Sequence, residues 1–194
     1  LKQDGTVWAA GRNNYGQFGD SNTTSALIPR QIYVGHSNIK KIISAGYNVL
    51  VLKNDGSLWG SGKNSHGQLG IGNTTQQNSP QEILSEGVSD VVASGGSSSS
   101  QTFIIKLDGS LWGMGHNGYG QLGLGHYNNM GDHPNEMGDQ LPAVSLGQPA
   151  IDLSAGRRHA CAVLQDGTLK CWGNNQYGTL GLGSTQNQVI PPVS

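Results

Sequence analysis

The 194-residue chain holds 31 glycines, only 12% charged residues and a formal charge of −1. That balance lacks the sustained positive surface that non-specific binding to nucleic acid or acidic lipid needs. No apolar run approaches the roughly 20 residues of a membrane-spanning helix, so neither a nucleic-acid partner nor membrane insertion is expected.

Along the chain, the first landmark is Asp4-Gly5, a turn signal placed almost at the start. It leads to Gly11-Arg12-Asn13-Asn14-Tyr15-Gly16-Gln17-Phe18-Gly19, then to a polar loop and an extended segment, Pro29-Arg30-Gln31-Ile32. A second round follows. Val49–Leu52 and Ser57–Trp59 flank Asp55-Gly56, Gly62–Gly70 repeats the glycine-rich phrase, and Pro80-Gln81-Glu82-Ile83 repeats the extended one. In the third, Phe103–Ile105 and Ser110–Trp112 flank Asp108-Gly109, before Gly115–Gly123 and a long segment from His126 to about Leu146. In the fourth, Ala160–Leu164 and Thr168–Trp172 flank Asp166-Gly167, before Gly173–Gly181 and Pro191-Pro192-Val193. Short apolar runs joined by a three-residue loop with Gly third predict β-hairpins closed by a left-handed residue. The Gly-x-Asn-x-x-Gly phrase is too rich in glycine for a strand and reads as a compact turn dropping Phe18, Leu69, Leu122 or Leu180 into the core. Pro in the last segment of each round suits an outer strand.

The Asp-Gly pairs stand 51, 53 and 58 residues apart. A period near 50 residues built of short strands predicts an all-β stacked or radial array rather than one irregular domain. The units read as 1–41 (partial), 42–90, 91–150 (with an insertion at 126–146) and 151–194, in one continuous array. Unit one lacks the strands before its Asp-Gly turn, and the chain opens at Leu1 rather than Met, as a piece of a longer protein would. Further sequence or self-association is expected to complete the array.

Ala155-Gly156-Arg157-Arg158-His159, Asp166-Gly167, Trp172-Gly173-Asn174-Asn175, Gly178 and Leu180-Gly181 resemble the regulator of chromosome condensation repeat family, and the likeness runs through all four units. The resemblance implies a β-propeller, usually of seven four-stranded blades. Units one to three depart from it: Ala10, Ser61 and Met114 occupy the position of Trp172, with Trp8, Trp59 and Trp112 two residues earlier. The strand-opening His is present only as His159, expected to be structural. The resemblance allows guanine nucleotide exchange on a small GTPase, as in the family's best-known nuclear member, with the insertion imitating a GTPase-contacting hairpin.

Several residues carry candidate chemistry. Cys161 and Cys171 each lie five residues from Asp166, so antiparallel pairing sets them opposite one another and predicts a disulfide. A disulfide favours an exported or cell-surface protein. His126, Asp132, His133, Glu136 and Asp139 cluster in the insertion, yet their spacing matches no recognised metal loop, and a solvated loop is the expected reading. The segment from Asn135 to Pro142 resembles an insertion recurring in repeats of the regulator of chromosome condensation family, which implies a structural element, a protruding hairpin packed by Met137 and Leu141. Gly113-Met114-Gly115-His116-Asn117-Gly118 spells a dinucleotide fingerprint but opens no helix in a βαβ unit, so no cofactor is expected. Four of the twelve acids are committed to turns, and no catalytic set can be assembled. Trp8, Trp59, Trp112 and Trp172 are expected in the packing between blades. Tyr15, His66, Tyr119 and Tyr177, each just before the Gly of its turn, are expected at the surface as interaction residues. The preferred function is a non-enzymatic scaffold presenting variable loops to a protein partner. The alternatives are the exchange factor and a carbohydrate-binding or hydrolytic propeller.

Overall fold

A computed structural model describes residues 1–96 and 99–192, with Asp139 described by its backbone alone. Ser97 and Ser98 of the serine run, and Val193 of the last extended segment, lie outside the described residues.

The twelve strands form four antiparallel sheets in chain order. β1 (Val7–Gly11) pairs with β2 (Ala26–Ile32); β3 (Ile39–Ala45), β4 (Asn48–Lys53), β5 (Leu58–Gly62) and β6 (Gln77–Leu84) make a complete four-stranded blade. β7 (Val88–Gly95), β8 (Ser100–Lys106) and β9 (Leu111–Gly115) form the third sheet; β10 (Ala150–Ala155), β11 (His159–Leu164) and β12 (Leu169–Gly173) form the fourth. The first strands of successive sheets adjoin, β3 with β7 and β7 with β10. The sheets are therefore propeller blades set side by side, with β1 and β2 matching the third and fourth strands of a blade.

Each Asp-Gly hairpin closes as its residues dictate. Gly5, Gly56, Gly109 and Gly167 hold φ between +77° and +83°, which glycine adopts without a Cβ penalty. The Asp carboxylate accepts the amide two residues on, 2.9 Å in every copy. These hydrogen bonds hold all four carboxylates below the ordinary carboxylate value. Pro29 and Pro80 fall where the outer strands β2 and β6 slip register against β1 and β5, at the edge that tolerates a missing donor.

Burial follows the stacking. The middle strand β4 is buried along Asn48–Leu52 and β8 along Ser100–Ile105, because a blade covers each side. β11 alternates, with Ala160, Ala162 and Leu164 buried and Cys161 and Val163 half-exposed. A large core runs from Leu50 and Leu69 through Phe103, Met114 and Leu122 to Leu164 and Trp172.

Cys161 and Cys171 are register partners and form the expected disulfide, with Cα atoms 4.0 Å apart. In the chain-entropy description, a crosslink over so short a loop contributes about 3 kcal/mol. Reduction should lower the unfolding free energy by that amount, read as the difference between urea denaturation curves with and without reductant. No difference would place the pair in a segment already held in the denatured state.

Two expectations about large side chains need correction. Of the four tryptophans, Trp172 is fully buried, Trp59 and Trp112 are half-buried and pack against the core, and Trp8 is 40% exposed. The outer three lie beneath a lysine six residues earlier, with the Lys2, Lys53 and Lys106 ammonium groups 3.9, 4.8 and 3.5 Å from the ring centres. Their indole N–H groups donate to Thr6, Ser57 and Ser110 hydroxyls at 2.9–3.2 Å. A lysine stem plus a hydroxyl partner completes the surroundings of an indole whose outer edge reaches the rim.

The insertion is no protruding hairpin. It folds as two 3-10 turns, Pro134–Glu136 and Gly138–Gln140, tied to β9 by single bridges at Met130 and Ala143. Leu141, Val144 and Leu146 are buried, and Met137 packs on the core beside Gly70. The segment takes the place of an outer strand because its apolar side chains have a groove at hand.

Candidate interaction face

β4 begins opposite the end of β5 (Asn48 with Gly62). The β3–β4 turn and the Gly-x-Asn loop therefore emerge at one end of the blade, and the Asp-Gly hairpin at the other. The same holds in the later blades, giving the array a loop face and a hairpin face.

The loops are stapled by asparagine. Asn13, Asn64, Asn117 and Asn175 are fully buried. Each Oδ1 accepts the amide of Phe18, Leu69, Leu122 or Leu180 at 2.9 Å. Each Nδ2 donates to a carbonyl nine residues on, at Asn22, Asn73, His126 and Ser184. One side chain thus closes both ends of the turn and seats the apolar residue beside it. The following glutamine works between blades. Gln17, Gln68 and Gln121 accept, through Oε1, the amides of Tyr15, His66 and Tyr119. Their backbone carbonyls accept from the next blade: from Ser61 Oγ at 2.9 Å, Thr102 Oγ1 at 2.8 Å and Trp172 Nε1 at 2.9 Å. Neither role was read from the sequence, although the same Asn recurring in phase in all four units was a signal for the first.

On this frame, the residue before each turn glycine leans onto the next blade. Tyr15 packs on Tyr47 with ring centres 4.8 Å apart, beneath Lys63 at 5.5 Å. His66 meets His116 edge-on at 5.0 Å. Tyr119 lies 6.0 Å from His116, beneath Arg158 at 4.2 Å. His116 Nδ1 is 2.7 Å from Gln121 Nε2, the ring nitrogen accepting. An arc of aromatic rings and cations therefore runs across all four blades. Tyr177 begins the next step of the arc and is 85% exposed.

The insertion borders this arc. His126 ties its Nδ1 to the Asn128 amide at 3.2 Å. Glu136 Oε2 accepts the amides of Gly131 and His133 at 3.0 and 3.2 Å, pinning the first 3-10 turn. Ligand-type atoms of Asp132, His133 and Glu136 lie within 4.8 Å of one another, while Glu136 is engaged in that turn. Asp139 lies in the second 3-10 turn. Among the described residues, no nucleophile, base and orienting carboxylate come together.

His66 and His116 titrate below the ordinary imidazole value. Burial is the first cause for both, followed by Lys63 for His66 and by His66 and Arg158 for His116; Asp132 opposes the shift at His66. His36, against Trp59 on the hairpin face, is lowered by burial and by Lys53. All three favour the neutral ring in the fold. Their contribution is whole above the unfolded value of 6.5 and is lost as pH falls through the folded values. The melting temperature should drop between about pH 7 and pH 5, where the turn carboxylates stay ionised. A His66→Asn, His116→Asn variant should show a flatter profile; an unchanged slope would put the titration elsewhere.

The repeat has a named counterpart. The description "Regulator of chromosome condensation (RCC1) repeat" matches residues 4–52, 55–100, 108–163 and 166–193, nearly the whole chain. The chain belongs to the RCC1 repeat family. Among curated relatives, the RCC1-repeat chain is 27% identical over 200 residues to the ultraviolet-B receptor UVR8 of Arabidopsis thaliana, covering all of this chain and 42% of that protein. It is 35% identical over 195 residues to the human probable E3 ubiquitin-protein ligase HERC6, covering 97% of this chain and 18% of that one. The RCC1-repeat chain thus spans less than half of either relative. Two solved structures share its fold. Saccharomyces cerevisiae Prp20p, described with its binding to Gsp1p and histones, matches with a TM-score of 0.78 at 21% identity over 98% of this chain and 46% of that one. Human WBSCR16 matches at 0.75 and 24%, over 99% of this chain and 49% of that one. The RCC1 propeller is therefore the fold.

Proposed function

We propose that the chain is a non-enzymatic scaffold whose loop face receives a protein partner. The observation that carries this reading is the arc from Tyr15 to Arg158. The Asn and Gln frame beneath it repeats from blade to blade, while the rings and cations it holds up change at each step. A constant frame under varied, half-exposed aromatic and cationic side chains is the composition of recognition surfaces, in which Tyr and Arg dominate binding energy. Prp20p's association with Gsp1p and histones is a property of that protein; it supports protein binding as the class of function here, and the partner's identity stays open. The insertion, folded down between blades, offers the exchange-factor reading no projecting element.

Affinity capture with identification of the bound protein tests this, comparing the wild type with Tyr119→Ala/Arg158→Ala and with Asp55→Asn on the hairpin face. Loss of one identified partner with the first variant and retention with the second is expected. Equal capture by all three would remove the loop face from the reading. Catalysed nucleotide exchange on a GTPase would replace the scaffold with the exchange factor.

A further inference from the structure

On the hairpin face, one motif is broken in the fourth blade. In the first three, a lysine two residues before the turn Asp covers an indole four residues after it: Lys2 over Trp8, Lys53 over Trp59, Lys106 over Trp112. In the register of the fourth blade, the lysine position is Leu164 and the indole position is Lys170. The cation has changed strands and the ring is gone. Where the ring would lie, a cavity of about 290 Å³ opens between the blade and the connector before it, lined by Leu146, Leu164, Asp166, Thr168, Lys170 and Pro191.

Lys170 is only 7% exposed. Its ammonium donates to the Leu146 carbonyl at 3.0 Å. Among the described residues, that is its one hydrogen-bond acceptor, and no carboxylate lies within ion-pair distance. An ammonium donates three hydrogen bonds, and a buried charge is costly unless it is paired. The sister blades meet neither difficulty, since their lysines lie over rings at the surface. Asp166, at the mouth, spends its carboxylate on Thr168. It feels the Lys170 charge without pairing with it.

We propose that this cavity binds a small monoanionic carboxylate with a ring or short hydrocarbon body. The carboxylate pairs with the Lys170 ammonium, and the body rests on Leu146 and Leu164 in the space the indole fills in the other blades. A single cation, with Asp166 at the entrance, disfavours dianions such as phosphate.

Benzoate titrated into the purified chain, followed by calorimetry and by ¹⁹F NMR of a fluorobenzoate, tests the assignment. Saturable one-site binding is expected. It should weaken about tenfold or more in Lys170→Met, in line with loss of a charge-assisted hydrogen bond. It should vanish in Leu164→Lys/Lys170→Trp, which rebuilds the sister-blade arrangement and fills the cavity. Neutral benzyl alcohol and inorganic phosphate should each bind at least about tenfold more weakly than benzoate, and Asp166→Asn should tighten benzoate. Acetylation of Lys170 in the unaltered protein should be slowed by benzoate, a reading that needs no variant to fold. No saturable benzoate binding, equal binding by Lys170→Met or the double variant, equal binding of benzyl alcohol, or acetylation of Lys170 unaffected by benzoate would each overturn the assignment.

Discussion

Trp172→Ala should reduce unfolding free energy by about 3–5 kcal/mol, the range for truncating a fully buried aromatic. The indole is fully buried between the third and fourth blades, edge-on to Phe103 at 6.3 Å. It lies on Gly123, where an added Cβ would come within 2.7 Å of the ring nitrogen. Truncation opens a cavity and leaves the Gln121 carbonyl, which accepts the indole N–H at 2.9 Å, without its donor. An orphaned buried acceptor alone costs about 1–3 kcal/mol. Trp172→Phe should therefore fall between alanine and the wild type, because it restores the ring but not the donor. Urea denaturation followed by the remaining tryptophans measures both. A loss under about 1 kcal/mol for alanine would show that the blades do not depend on this contact.

Gly62→Ala should cost roughly 3 kcal/mol, and Gly11→Ala only about 1–2 kcal/mol. The two glycines occupy the same position of the repeat and share a backbone conformation, with φ +109° and +108°. At Gly62, a Cβ would overlap the Tyr47 carbonyl and come within 2.8 Å of Asn48 Cα and 3.0 Å of Gln17 Cβ. At Gly11, it would meet nothing within 4 Å. Both variants bear the conformational cost of a Cβ at positive φ; only Gly62 adds overpacking against its own blade and the one before. The difference between their denaturation midpoints isolates the price of that close approach. Equal losses would mean that φ alone sets the requirement for glycine here.

Local order was legible residue by residue. Asp166-Gly167 predicts a turn because one carboxylate can reach the amide two residues on and one glycine can take positive φ. The same turn places Cys161 opposite Cys171, so the disulfide followed from counting. Leu69 and Leu122 were rightly placed in the core, since a compact glycine-rich turn has no other use for them. The tryptophans were misread for an instructive reason. Alternation correctly set Trp8, Trp59 and Trp112 on one face of their strands. Whether that face is covered at that height depends on the neighbouring connector, which brings His36 to Trp59, and each ring is also covered by its own blade's lysine. The insertion was misread because Met137 and Leu141 signal packing without naming the surface they pack on; the groove beside Met114 and Gly70 drew the segment down. Tyr15, His66 and Tyr119 were expected at the surface, but their contacts with Tyr47, Lys63, His116 and Arg158 were out of reach.

The amino-acid sequence by itself determined the period, the hairpins, the seated leucines and the crosslink, because each depends on groups a few positions apart. Tertiary structure alone decided which aromatic side chains are core and which form a rim. It also decided that Gln121 serves Trp172, 51 residues away, and that a lysine at the tryptophan position of one blade, Lys170, is a buried ammonium beside a cavity. Those outcomes arise when blades stack, since burial and pairing are then set by whatever the neighbouring blade brings to the interface, and no local spacing encodes that.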